Sequence, residues 1–290
     1  MMIWWNFWQT KPNFGFIFHN IIMMLVNGVA QTHIDVTDRG FQYGDGLFET
    51  ITVHNGKAVF LTQHIARLTA ACQRLHIPCP NLDLLHTEIR QLCQHVEQAV
   101  LKIIITRGSG GRGYRQPDDV QPTRVLSLHP LPTYPDSYAT QGITARFCDT
   151  RLGLNPTLAG MKHLNRLEQV LARAEWHDDS IQEGIMLDIN DCVIEGTMSN
   201  LFYCKNNQLY TATLTQSGIA GIIRALIISH ETVIEHTYNK ADLLAADELF
   251  VCNSVIGIWG LKQLANHAFA VGNKTKHLQH WLTQQATHNA

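Results

Sequence analysis

Apolar and polar positions fall into a regular pattern from Leu25 onward. Leu25-Val26 runs into Asn27-Gly28, a dipeptide that favours a hairpin turn. Over 47–53 the period is two: Leu47, Glu49, Ile51 and Val53 share one strand face, and Phe48, Thr50 and Thr52 the other. Asn55-Gly56 predicts a turn, and 58–61 a returning strand. The period then lengthens over 63–75, where Ile65, Leu68, Cys72 and Leu75 make the buried side of a helix capped by Thr62. His64 and Arg67 lie one turn apart on that helix. Pro78 and Pro80 close the unit, a second helix covers about 82–96, and 100–106 and 125–128 read as strands.

Three prolines in the run His129 to Pro135 make a stiff connector. The expected division is a small α+β domain over 23–129, a linker over 130–137 and a larger domain over 138–290. In the larger part, strands are predicted at 143–147 and 185–189. Shorter ones at 193–195, 201–204 and 209–211 suggest a barrel-like or strongly curved sheet. A helix opens at Gly221 and runs to about 230, and a strand at 249–252 leads into Asn253-Ser254-Val255. Leu164, Leu167, Leu171 and Ala174 recur at helical spacing, predicting a helix that begins at Lys162 with these residues on one face.

Composition narrows the class. The chain of 290 residues is long enough for two domains, and a formal net charge of -2 gives no reason to expect nucleic acid or an anionic membrane as partner. Its 7 cysteines form no CxxC pair, which reads as reduced thiols in a cytosolic protein. The 16 histidines form no HExxH or comparable set, so spacing offers no metal site. Residues 1–22 carry aromatic residues but almost no basic start, no small-residue cleavage site follows, and the apolar run 21–26 is too short to span a bilayer. We expect a non-native or disordered extension there, with translation starting at Met23 or Met24.

Two stretches carry candidate chemistry. Lys162 is flanked by Leu158, Ala159, Met161 and Leu164, and an ammonium in apolar surroundings tends to become a neutral, nucleophilic amine. The plain alternative is a solvated lysine at a helix start. Arg107-Gly-Ser-Gly-Gly-Arg-Gly113 exposes backbone N–H groups and could hold an anion, or be a flexible hairpin loop, or a short RGG-like contact. Glu195, set among apolar neighbours, needs a cationic partner, and the Gly221 helix start can bind a phosphate. A lysine, a carboxylate for a ring nitrogen and a phosphate cup are what pyridoxal 5'-phosphate (PLP) requires.

The segments DRGFQYGDGLFET, TRGSGGRGY, RLGLNPTLAGMKHLNRLEQVLARAE, IEGTMSNLF and GIAGIIR resemble the fold-type IV PLP enzymes, also called class-IV aminotransferase-like. The resemblance covers most of the chain from Leu25 to about Gly257. It implies an α+β fold in which a small N-terminal α/β sandwich precedes a larger domain with a barrel-like sheet. Within the group, GSGGRGY and LAGMKHLNRLEQ are similar to the 4-amino-4-deoxychorismate lyases of folate biosynthesis rather than to branched-chain or D-amino acid aminotransferases. The tyrosine that aminotransferase relatives place shortly after the lysine is absent, and Asn165-Arg166-Leu167 stands there.

Carried over by position, the resemblance makes Lys162 the lysine that joins PLP, Glu195 the ring-nitrogen carboxylate and Arg67 the phosphate arginine. Ile222 and Ile223 supply phosphate-binding amides, and Ser254 a phosphate-binding hydroxyl. Thr50 is a candidate on the substrate side, and Arg107 with its glycine loop a candidate for substrate carboxylates. Each of these last three has a structural alternative: a turn residue at Ser254, a sheet-surface threonine at Thr50, a solvated strand-end charge at Arg107. The implied reaction is a carbon–oxygen lysis in which Lys162 removes a proton and loss of the enol-pyruvyl group aromatises the ring. Its products are 4-aminobenzoate and pyruvate. A cytoplasmic homodimer acting on a small molecule is implied as well.

Overall fold

The structure, a computed structural model, describes residues 24–288, so the extension expected over 1–22 lies outside the described residues. The first sheet is built from β1 (Met24–Val26), β2 (Val29–Ala30), β3 (Gly46–His54), β4 (Lys57–Ala58), β5 (Gln98–Thr106) and β6 (Thr123–His129), in the antiparallel order β2-β1-β6-β5-β3-β4. Both predicted hairpin turns form, because Asn27-Gly28 and Asn55-Gly56 take the positive φ values such turns need. A short α1 (Arg39–Tyr43), capped by the Asp38 carboxylate, sits inside the glycine-punctuated loop before β3.

Helices α2 (Leu61–Arg74) and α3 (Leu82–Cys93) cover one face of that sheet. Ile51 and Val53 of β3 meet Ile65, Leu68 and Cys72 of α2 and Leu85, Ile89 and Leu92 of α3 in one buried cluster. The opposite β3 face, with Phe48 and Thr50, is half-buried and looks towards the second half of the chain. Thr62 does not cap α2. The helix starts two residues earlier, after Phe60, which holds a left-handed conformation with no side-chain cap.

After α4 (Ser137–Thr140) come β7 (Ile143–Leu152), α5 (Leu167–Arg173), β8 (Glu183–Asp188), β9 (Val193–Gly196), β10 (Asn200–Lys205) and β11 (Gln208–Ala212). The rest is α6 (Ile222–His230), β12 (Val233–His236), α7 (Lys240–Leu244), β13 (Glu248–Asn253), β14 (Gly257–Leu264), β15 (His267–Ala268) and α8 (Asn273–His288). Strands β10, β13, β14, β7, β8 and β9 follow one another, and Asn200 pairing with Glu195 joins β9 back to β10. A six-stranded barrel results, so the expected curved sheet is a closed one. Its interior is filled by Ile143, Ile185, Leu201, Val251, Trp259 and Leu261. Outside it, α6 and α8 pack together through Ile223, Ile227, Leu278 and Leu282.

The expected helix start at Lys162 fails here. Lys162 does not open a helix: Phe48 N–H donates to its carbonyl (3.0 Å) and Leu164 N–H to the Gly46 carbonyl (3.0 Å), so 162–164 lies extended against β3. Nor is the leucine face buried. On α5 Leu167 and Leu171 are exposed, and the inward positions are Gln169 and Ala172. Gln169 donates its amide to Glu195, and Ala172 packs against Cys148, Trp176 and Met186.

Candidate active site

Between the inner face of β3, the barrel seam at β9–β10 and the start of α6 lies a cavity of about 420 Å³. Thr50, Arg67, Lys162, Glu195, Ile222 and Ser254 all line it, so residues spread over more than two hundred positions converge on one cavity. The proline connector contributes Pro132 and Tyr134 to its wall. Ile223 turns its side chain into the α6–α8 core and brings only its backbone to the helix start.

The extended 162–164 segment delivers Lys162 into the cavity with its Nζ 4.2 Å from the centre of the Phe48 ring. Burial lowers its pKa to about 8, the Arg67 charge adds to that, and Glu49 and Glu195 oppose it. A sizeable fraction of the amine is therefore neutral near neutral pH, which a nucleophile and a base both need. Glu195 has the complementary problem. Its carboxylate is buried, with Ile219 N–H (2.8 Å) and the Gln169 amide (3.3 Å) as its hydrogen-bond donors, and burial pushes its pKa up to about 7.

Arg67 is fixed by a second acid. Glu49 is the one charged residue in the apolar alternation of β3, and it accepts from Arg67 Nε (2.8 Å) and Nη2 (2.5 Å) and from His64 Nδ1 (2.6 Å). Burial alone would raise the Glu49 pKa, but the His64 and Arg67 hydrogen bonds hold it below the usual value. Arg67 Nη1 donates to the Ala220 carbonyl (2.9 Å), just ahead of α6, which aligns the guanidinium with the helix start. There Asn200 Oδ1 accepts Gly221 N–H (3.1 Å), and the amides of Ile222 and Ile223 belong to the first turn, whose N–H groups have no acceptor within the helix. Gly221 is required: a Cβ on it would stand 2.1 Å from Asn200 Oδ1.

The loop 196–199 along the cavity is held by buried Glu183, which accepts from Thr197 Oγ1 (2.6 Å), Thr197 N–H (3.0 Å) and Ser199 Oγ (2.7 Å). Thr52 Oγ1 donates to the Ser254 carbonyl (2.6 Å) and ties the first sheet to the 253–256 turn. Arg166, in place of the aminotransferase tyrosine, reaches the cavity. It is held by the His163 carbonyl (3.0 Å) and the His163 ring, whose pKa falls to about 4 through burial and the Arg166 charge.

Arg107 is elsewhere. It is neither solvated nor in the cavity: Nε and Nη2 donate to Asp45 (2.8 and 3.0 Å), and Nη1 and Nη2 to the carbonyls of His76 and Leu75 (2.8 Å each). A buried guanidinium must satisfy its donors, and this one does so internally. The glycine loop turns two carbonyls inward, those of Gly113 (2.9 Å) and Tyr114 (3.5 Å), which accept from Arg39.

The site therefore offers a buried amine of lowered pKa, a buried carboxylate with no cation hydrogen-bonded to it, and a helix start flanked by arginine. These fit PLP: an aldehyde for Lys162, a protonated ring nitrogen for Glu195 and a phosphate for Arg67 and α6.

The chain belongs to the amino-transferase class IV family, whose model matches residues 46–264 and whose members depend on PLP. Among its relatives is the aminodeoxychorismate lyase of Vibrio harveyi, 36% identical over 266 residues that span 89% of this chain and 98% of that one. The crystal structure of 4-amino-4-deoxychorismate lyase from Pseudomonas aeruginosa superposes with a TM-score of 0.87 at 42% identity, covering 90% of this chain and 98% of that chain. The D-alanine aminotransferase of Bacillus licheniformis is more distant, 28% identical over 264 residues that cover 86% of this chain and 90% of that protein.

Among the described residues no helix is long and apolar enough to cross a membrane.

Proposed function

We propose that this protein is a PLP-dependent lyase that converts 4-amino-4-deoxychorismate into 4-aminobenzoate and pyruvate. The observation that carries the reading is the pairing of Lys162 and Glu195 across one cavity, in a chain whose near-full-length relatives include lyases of that name. When bound, PLP supplies an aldehyde that captures the substrate amine and a ring that accepts the electrons of a broken C–H bond. Arg67 and the amides of Ile222 and Ile223, with the Ser254 hydroxyl, bind and orient the phosphate. Glu195 keeps a proton on the ring nitrogen.

Lys162 Nζ, neutral in part near pH 8, takes the proton from the amine-bearing carbon of the substrate. Thr50, on the β3 face that looks into the cavity, hydrogen-bonds the departing enol-pyruvyl oxygen. Phe48 and Tyr134 shield the amine from water and make an apolar wall for a six-membered ring. Loss of the side chain leaves an aromatic product, so elimination runs downhill.

The two sheets support a division into a small domain over 23–129 and a larger, cofactor-anchoring domain over 138–290, with the linker 130–137 forming cavity wall between them. We take the active form as a cytoplasmic homodimer. Leu167, Val170 and Leu171 stand 75, 60 and 61% exposed on α5, a surface suited to a second copy. Incubating PLP-loaded protein with aminodeoxychorismate while following 4-aminobenzoate and pyruvate tests the activity. Absence of both products overturns it, and turnover that requires an α-keto acid instead would make the protein an aminotransferase.

A further inference from the structure

Sequence spacing offers no metal site, but the fold brings together three residues that are far apart in pattern. We infer that His230, Glu231 and His277 bind one divalent transition-metal ion of the zinc class where the end of α6 meets the start of α8. One donor atom from each lies within 4.8 Å of the other two, and among the described residues no other set of three His, Cys, Asp or Glu side chains meets that condition. His230 is the last residue of α6, Glu231 follows as its cap, and His277 stands in the first turns of α8.

The two rings lie side by side. His230 stacks on Trp281 at 4.2 Å and 5°, and the His277 ring lies nearly parallel to it at 6.2 Å and 18°. Glu231 is largely buried, and its two oxygens differ: Oε2 takes the Lys274 ammonium (3.2 Å), while Oε1 faces His277 Nε2 at 3.6 Å, too far for a hydrogen bond. A cation between carboxylate and imidazoles would satisfy all three. The C-terminal end of α6 adds the negative pole of its dipole, which partly offsets the Lys274 charge beside the carboxylate.

The donor set decides the class of ion. Two imidazole nitrogens and one carboxylate oxygen suit zinc, nickel or copper, whereas magnesium and calcium require oxygen cages. Zinc bonds of about 2.1 Å put neighbouring donors roughly 3.4 Å apart, so closure needs about an ångström of side-chain movement. His277, with its side chain 59% exposed, is free to make it. The site would bridge α6 to α8 and takes no part in the chemistry at the opposite end of α6.

The test is calorimetric titration of Zn²⁺, and separately of Mg²⁺, into full-length PLP-loaded protein that has been stripped with EDTA and desalted. One saturable Zn²⁺ equivalent is expected, weakened about 100-fold in His230→Ala and in His277→Ala. It should be unchanged in His280→Ala, another exposed histidine of α8. Zn²⁺ should also raise the melting temperature of wild type and not of His277→Gln, a change that keeps a polar side chain at the position. Retention of the visible cofactor absorbance shows that each variant is folded. No saturable zinc binding, equal binding in the His230→Ala/His277→Ala double variant, or Mg²⁺ binding as tightly as Zn²⁺ overturns the assignment.

Discussion

Two buried charged regions touch β3, and they are built on opposite terms. At its start, Asp45 holds Arg39 and Arg107, and the remaining guanidinium donors find carbonyls of Leu75, His76 and the glycine loop. Across its middle, Lys162 and Glu195 share a cavity with no hydrogen bond or ion pair between them, one held towards its neutral form and the other pushed up towards it. The first region is complete within the chain. The second is chemically unfinished, and what would finish it is a ligand with an aldehyde and a basic ring. Whether a buried charge is closed by the protein or left open separates structure from function here better than burial or residue type.

The sharpest way to break that contrast is Lys162→Ala. It should remove the visible band of lysine-linked PLP and lower turnover by about 10⁴-fold or more, without lowering the urea stability of the cofactor-free protein. A large loss of stability would place Lys162 with the closed region. Arg107→Ala should do the reverse: it strands Asp45 and costs about 3–5 kcal/mol in urea unfolding, with kcat of the surviving folded enzyme near wild type.

The open pair also predicts how cofactor-free stability depends on pH. The Glu195 pKa rises from 4.5 to about 7 on folding, so the folded state binds the extra proton, and stability falls as pH climbs between those values. For Lys162 the pKa falls from 10.5 to about 8, so the unfolded state binds the extra proton, and stability recovers as pH climbs from 8 to 10.5. The result is a trough near pH 7–8, each limb at most about 3 kcal/mol. Glu195→Gln should flatten the acid limb and Lys162→Met the alkaline one, read as wild type minus variant across a pH series. If both variants track wild type, the pair is not strained as described. The smallest effect is at Thr50→Val, where about tenfold of kcat should be lost with cofactor affinity unchanged. An unchanged kcat would return Thr50 to the sheet surface.

Local features of this fold were legible because they are written in neighbouring residues. Asn-Gly turns, the alternation of β3, the α2 stripe and the glycine opening of α6 each sit where their spacing put them. The Lys162 segment was misjudged because leucines at helical spacing also suit a short helix whose apolar side faces outward, and no local signal separates the two. Arg107 was misjudged because its partner Asp45 lies 62 positions away. Glu49 did leave a trace: a carboxylate on the buried face of an apolar strand demands a cation, and Arg67 was already in view. Phe48 and Gln169 left none, since only the folded chain shows which side chains share a wall, and Arg166 was marked only by the missing tyrosine.

The barrel closes through one residue pair, Asn200 against Glu195, and both members also serve the cavity. Mechanical integrity and ligand occupancy therefore share a seam. Hydrogen exchange at residues 195–200 should slow when cofactor is bound, while the paired strands β14 and β15, which do not reach the cavity, stay indifferent to it. Cofactor loss in such a molecule loosens a stave of the barrel as well as emptying a pocket, and so marks the point where proteolytic turnover of the cofactor-free chain would begin.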